Sequence, residues 1–244
     1  MMRAIHYDGG TRDRLLDQLA RDGLAPTHHR MVELTGKNRK VLEIGCATGY
    51  VSALLKANGC RVIGIELDPI SVRQARTICD SVIEGDAGDP SVLKSAGGDF
   101  DVILCGDVLE HLIEPRDALR TLATMLAPGG EILVSIPNVA FWRMRLRLLL
   151  GQFDYTDSGI LDRTHLRFFT VDSFKKLTTE VGYQVEMVAM NDFGIPMGAR
   201  LRRLPVIGSV LRRIEFHLAG TWPNLLVLHA IYRLKPDHSV DGDH

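Results

Sequence analysis

The chain has 244 residues, 45% of them apolar, and its 29 basic and 30 acidic side chains leave a formal charge of −1. That length and apolar content suit one large domain, or one domain with an added lid. The balanced charge excludes a global field that would draw in nucleic acid or an anionic membrane. No run of about 18 uncharged apolar residues is present, so no spanning helix is expected. Residues 1–10 lack an apolar signal core, so export is not expected. Cys46, Cys60, Cys79 and Cys105 form no CxxC pair. Reduced thiols in the cytoplasm are a simpler reading than a zinc cluster or a disulfide framework.

Residues 11–35 read as helical, with Leu15, Leu16 and Leu19 on one face and Pro26 interrupting the pattern. An alternation of strands and helices follows. Lys40 to Ile44 is a short strand that runs into a glycine-bearing turn, and Val51 to Asn58 is a helix stopped by Gly59. Arg61 to Ile65 is a second strand ending at Glu66, and Ile70 to Cys79 reads as a helix. Val82 to Glu84 is a third strand. Phe100 to Cys105 is a fourth, nearly all apolar, as a central parallel strand should be. Asp117 to Leu126 is a helix, Pro128-Gly129-Gly130 a turn, and Glu131 to Ile136 a fifth strand. This rhythm argues for an α/β fold, a doubly wound parallel sheet with helices on both faces. After Pro137 it breaks into a stretch rich in aromatic and basic residues. A helix at Val171 to Val181, strands at Gln184 to Met190 and Leu225 to Arg233, and a polar tail from Pro236 complete the chain.

Two features at strand ends carry chemistry. Gly45 and Gly49 lie between the first strand and its helix, where glycine lets a ligand approach the backbone and a helix N-terminus offers unpaired N–H groups. The spacing is not GxGxxG, because Ala47 takes the second glycine's place. Taken alone, the loop is equally a tight strand–helix turn. Glu66 stands at the tip of the second strand, about 20 residues on, where α/β nucleotide sites place a carboxylate on ribose hydroxyls. A nicotinamide-dependent oxidoreductase shares both features, although it calls for the missing glycine.

The full set of motifs resembles the class I S-adenosylmethionine-dependent methyltransferases. Val41 to Gly49 is similar to the family's first motif and Ile63 to Asp68 to its second. Glu84-Gly85-Asp86-Ala87 is similar to the third, Phe100 to Leu112 to the fourth, and Leu126 to Val134 to the turn before strand five. The resemblance implies a Rossmann-like, mostly parallel seven-stranded sheet, its last strand antiparallel and inserted between the fifth and sixth, with a helical lid insertion. It implies S-adenosylmethionine as cofactor, held by Glu43, Gly45, Cys46, Gly49, Glu66, Leu67, Asp86, Ala87, Cys105 and Gly106. It also implies an organisation. Residues 1–36 are a helical cap, 37–137 the cofactor core, 138–170 the substrate lid, 171–235 the rest of the core, and 236–244 a disordered tail.

Within the family, Leu109-Glu110-His111-Leu112 and Thr164 to Thr170 resemble small-molecule methyltransferases, including the O-methyltransferases of ubiquinone synthesis. The run Asp154 to Thr170 also resembles bacterial methyltransferases found near glycan-assembly enzymes. Strand four lacks the Asn/Asp-Pro-Pro-aromatic motif of amino-directed DNA methyltransferases. The expected reaction is in-line methyl transfer to a small molecule, at a hydroxyl oxygen. Alignment supplies most of its rate, and His165 and His111 are the candidate bases. His111 is equally a helix-start histidine bonded to backbone, and His165 a structural lid histidine. No metal site is expected, although Glu110 with His111 would suit a divalent ion, as in some ubiquinone-pathway relatives. Asp162 and Arg163 either touch substrate or pair with each other. A non-catalytic, cofactor-binding scaffold stays open. Phe141 to Leu150 interleaves apolar residues with three arginines, and residues 200–218 are basic and amphipathic. Peripheral contact with lipid or a greasy substrate is one reading; an amphipathic lid or a homodimer contact is the other.

Overall fold

The computed structural model describes residues 26–193, 213–214 and 217–237. The expected helical residues before Pro26, most of the basic segment 200–218 and the tail beyond Asp237 lie outside them; Pro236, expected to open a disordered tail, instead ends the last strand, paired with Tyr183. The described chain alternates α1 (Pro26–Thr35), β1 (Lys40–Ile44), α2 (Tyr50–Ala57), β2 (Arg61–Glu66), α3 (Pro69–Ala75), β3 (Ser81–Glu84), α4 (Pro90–Ser95) and β4 (Phe100–Gly106). A 3₁₀ turn (Leu109–His111), α5 (Pro115–Ala123), β5 (Leu126–Pro137), α6 (Trp142–Leu149), α7 (Val171–Glu180), β6 (Tyr183–Phe193), α8 (Pro223–Leu226) and β7 (Val227–Pro236) follow.

The seven strands form one sheet in the order β3-β2-β1-β4-β5-β7-β6. Strands β1 to β5 pair in parallel, and β7 runs antiparallel between β5 and β6. This is the topology that the motifs implied. Its order reverses at β1 and β4, which opens a crevice beyond their carboxyl ends.

Both faces of the sheet are buried, and the two-residue period divides them. In β4, Ile103 and Cys105 pack on one face with Leu119, Leu122 and Phe174. Val102 and Leu104 pack on the other with Met31, Val32 and Val72. Such strands read as continuous apolar runs because neither face meets water.

Several elements differ from expectation. Helix α4 has no expected counterpart, and the last strand starts at Val227, not Leu225, because Leu225 and Leu226 belong to α8. Helix α3 stops at Ala75, whereas the apolar pattern extends to Cys79. Asp68 caps its start by accepting from the Ser71 amide at 2.9 Å. Its end is cut short where Ala75 and Ile78 crowd Gly49 of the first loop. Strand β5 begins at Leu126, ahead of the expected Pro128-Gly129-Gly130 turn. The irregularity is absorbed as a register shift opposite Phe100 and Val102. A Cβ at Gly130 would stand 2.6 Å from the Phe100 carbonyl oxygen, so only glycine lets the two strands close there.

Candidate functional site

The C-terminal ends of β1, β2, β3 and β4 open into a cleft of about 540 Å³. Gly45, Ala47, Glu66, Leu67, Gly85, Asp86, Ala87 and Gly106 line one end. Glu110, His111, Asp162, Thr164 and His165 line the other.

Glycine is required twice in the first loop. Gly45 has φ +66°, and a Cβ there would stand 2.8 Å from Val108 Cγ2. Gly49 has φ +85°, with the Ala75 Cα 3.3 Å from where its Cβ would be. Between them Ala47 holds φ +47°, a left-handed conformation that a non-glycine residue adopts only when its surroundings impose it. The constraint is Glu66. One carboxylate oxygen accepts from the Ala47 amide at 2.9 Å, and the other accepts from the Leu67 and Asp68 amides, each at 2.9 Å. The acid expected to meet a ligand thus also fixes the loop beside it. Asp86 accepts from the Gly88 amide at 2.7 Å, which orients its carboxyl at the end of β3.

Glu43 is buried behind this loop, and the Ser52 hydroxyl donates to it. Burial pushes its carboxyl from 4.5 up to about 8, opposed by the Ser52 hydrogen bond. The folded chain therefore keeps a proton that the unfolded chain releases near 4.5. Stability drawn from Glu43 is full below that value and is lost as pH rises toward 8. Glu43→Gln is expected to melt above wild type at pH 9, by about 2–5 kcal/mol, and near it at pH 5. Thermal melts at both values check this; parallel pH dependences in the two proteins would contradict it.

The remaining expected cofactor residues divide. Cys46 and Cys105 are 1% and 0% exposed, pack in the two core clusters and do not line the cleft. Each sits next to a cleft-lining glycine, Cys46 after Gly45 and Cys105 before Gly106, with its own side chain turned into the core. All four cysteines are free thiols and buried.

At the opposite end, the segment after α6 folds back on the turn after β4. The Leu166 and Arg167 amides donate to the Glu110 carbonyl at 2.8 and 2.9 Å, which carries His165 over the cleft. His165 Nδ1 lies 3.0 Å from the Ile160 carbonyl, and His111 Nδ1 lies 3.1 Å from the Thr164 carbonyl. A carbonyl only accepts, so Nδ1 of each ring is the donor, and in the neutral ring Nε2 carries the lone pair. The rings meet edge to face at 4.8 Å. Burial lowers the His165 pKa, which favours the neutral ring. Glu110 is 1% exposed, and neither of its carboxylate oxygens has a hydrogen-bond partner. Burial and then the Asp107 charge raise its pKa well above the ordinary value. One ligand atom each from Glu110, His111 and His165 lie within 4.8 Å of one another. Proximity in sequence joined Glu110 to His111; only the fold adds His165. Asp162 and Arg163 do not pair. Asp162 accepts from the Thr164 amide and hydroxyl, and Arg163 reaches Asp157 at 2.6 Å.

The cleft also holds His28, Tyr50, Asp107 and His229, which the sequence reading did not single out as site residues. No motif marks His28 or His229, and Asp107 stood unremarked inside the fourth motif.

A model of the methyltransferase domain matches residues 16–188. The ubiquinone biosynthesis O-methyltransferase of Stutzerimonas stutzeri is 33% identical over 112 residues, which cover 44% of this chain and 47% of that protein. Its counterpart from Marinobacter nauticus is 34% identical over 114 residues, with the same coverage. The chain thus spans about half the length of the curated relatives it matches. Two solved structures are similar in fold. One is an S-adenosylmethionine-dependent methyltransferase from Archaeoglobus fulgidus (TM-score 0.56, 18% identity, 93% of this chain and 95% of that one). The other is from Mesorhizobium loti (TM-score 0.54, 14% identity, 87% and 98%). The nicotinamide-oxidoreductase reading finds no support in these likenesses.

Proposed function

We propose, from the premise that this chain belongs to the class I S-adenosylmethionine-dependent methyltransferases, that its cleft moves a methyl group from S-adenosylmethionine to a hydroxyl oxygen of a small molecule. The observation that carries this reading is the pairing of two ends in one cleft. A glycine loop gripped by Glu66 faces a pair of imidazoles that keep free Nε2 lone pairs. The likeness to O-methyltransferases supports oxygen as the acceptor atom.

Bound beside the loop, S-adenosylmethionine would supply a methyl group already activated on a sulfonium. The backbone at Gly45, Ala47 and Gly106, with Glu66 and Asp86, would hold it. The same reading gives roles to Glu43, Gly49, Leu67 and Ala87 and to the backbone of Cys46 and Cys105. The chain's own chemistry is then alignment and removal of one proton. His165 Nε2 accepts the hydroxyl proton as the oxygen attacks, and its Nδ1–H stays on Ile160. His111 supports that ring edge-on. The segment from Asn138 to Thr170, with α1, covers the acceptor.

One observation favours a second reading. Glu110 is a buried carboxyl without a partner, and its neighbours are two imidazole lone pairs. That donor set fits a divalent cation. Glu110, His111 and His165 would hold it, and it would polarise an acceptor oxygen as a Lewis acid.

The test is production of S-adenosylhomocysteine from S-adenosylmethionine with a panel of phenols, glycosides and lipid-linked alcohols. Turnover with any of them supports the proposal. Cofactor binding without turnover on the whole panel would favour a scaffold. Among the described residues, no helix is long and apolar enough to cross a membrane. Helix α6 nevertheless carries Arg143, Arg145 and Arg147 beside Leu149, which is 84% exposed. Peripheral lipid contact through this helix is part of the proposal. Co-sedimentation with phosphatidylglycerol vesicles should fall severalfold in Leu149→Glu; undiminished binding in the variant would remove α6 from it.

A further inference from the structure

A second polar wall of the same cleft takes no part in the chemistry proposed above. His28 comes from the first turn of α1, Asp107 follows the end of β4, and His229 projects from the inserted strand β7. His28 Nε2 stands 3.8 Å from one Asp107 carboxylate oxygen, and His229 Nε2 stands 3.7 Å from the other. Both gaps exceed hydrogen-bond length. The carboxylate therefore sits between two imidazoles with neither closed upon it.

The position of Asp107 is imposed. Its φ is +53°, a strained value for a residue with a side chain. Its amide meets the Ser135 carbonyl at 3.3 Å and hydroxyl at 3.0 Å, and that hydroxyl donates back to Asp107 Oδ1 at 2.7 Å. His28 is held as well, its Nδ1 lying 3.2 Å from the Tyr50 hydroxyl. When Tyr50 donates, His28 presents N–H at Nε2. A hydroxyl beside the His28–Asp107 pair then accepts from the Nε2–H and donates to the carboxylate, so both polar groups are satisfied at once. Among the described residues, the cleft is lined by the carboxylates of Glu66, Asp86, Asp107 and Asp162 and by the imidazoles of His28, His111, His165 and His229, with no lysine or arginine.

We infer that His28, Asp107 and His229 form a hydroxyl clamp for the methyl acceptor, and that the acceptor brings an uncharged polyol or phenol, not a carboxylate or phosphate, into the cleft. This rests on the reading that the cleft takes a methyl acceptor. A carboxylate or phosphate seated there would meet the Asp107 carboxylate with no lysine or arginine among the described lining residues to offset it.

The experiment uses the full chain saturated with S-adenosylhomocysteine. Two matched pairs of probes are titrated by calorimetry: catechol against protocatechuate, and methyl α-D-mannopyranoside against mannose 6-phosphate. At least one neutral probe is expected to bind, with its anionic partner at least tenfold weaker. Which pair responds distinguishes an aromatic from a sugar source of the hydroxyl. His229→Ala should weaken the neutral probe about tenfold or more with S-adenosylhomocysteine affinity unchanged, and His229→Gln, which keeps a donor, should recover part of the loss. Asp107→Asn should narrow the gap between neutral and anionic partners, and it decides the matter if His229→Ala fails to fold. Binding of neither neutral probe, equal binding of an anionic partner, or an unchanged gap in Asp107→Asn overturns the inference. Failure of S-adenosylhomocysteine itself to bind would instead sink the methyltransferase reading.

Discussion

Replacing His165 with alanine is expected to lower turnover by about 10²–10⁴-fold, the range of a lost general base. Affinity for S-adenosylmethionine should stay within about twofold, because His165 lies at the acceptor end and makes none of the loop's hydrogen bonds. The ring is placed by its hydrogen bond to Ile160 and by burial, and its lowered pKa favours the neutral, proton-accepting form. Chelation separates the two roles left open by Glu110. A base acts without metal, so dialysis against EDTA would leave wild-type turnover intact. A ligand acts through the ion, so EDTA would cost as much as the substitution, and added Mg²⁺ or Zn²⁺ would restore wild type but not the variant. Full turnover in His165→Ala would remove the residue from the mechanism altogether.

Glu66→Ala should weaken S-adenosylmethionine binding by about 10–100-fold. The scale comes from a single charge-assisted hydrogen bond, about 1.5–3 kcal/mol, at 1.4 kcal/mol per factor of ten. The variant loses more than a contact to ribose. Three backbone amides lose their acceptor, and Ala47 is left at φ +47° without the bond that holds it there. Glu66→Gln keeps one carbonyl oxygen and should recover part of the affinity. Calorimetry with S-adenosylhomocysteine measures both, and wild-type affinity in Glu66→Ala would mean that the cofactor sits elsewhere.

The same residue shows what could be read before the structure was known. Glu66 was legible because its position follows from local rules. A strand must end, a crossover must begin, and the carboxylate lies at a fixed distance along the chain from the glycine loop. Gly45 and Gly49 were legible for a related reason, since a left-handed backbone and a close neighbour leave few residue types possible. The alternation of apolar runs and helices specified the parallel sheet, because strands buried on both faces carry few polar residues. By its local constraints and motifs, then, the sequence determined the sheet, the glycine loop and carboxylate at the ends of β1 and β2, and the nature of the methyl donor.

How the residues at the other end of the cleft come together was decided only in three dimensions. His165 reaches Glu110 across more than 50 residues of sequence because the Leu166 and Arg167 amides return to the Glu110 carbonyl. His28 and His229 flank Asp107 from opposite ends of the chain because β7 inserts beside β5 and α1 packs across the sheet near β4. None of these pairs has a period or a spacing. Each depends on where a loop ends after the core has packed, and the segment after Pro137 that carries one of them obeys few local rules. Burial likewise decided the chemistry of Glu43 and Glu110. The sequence marked both as candidate site residues, but only the fold, by removing water from around them, raises their pKa values.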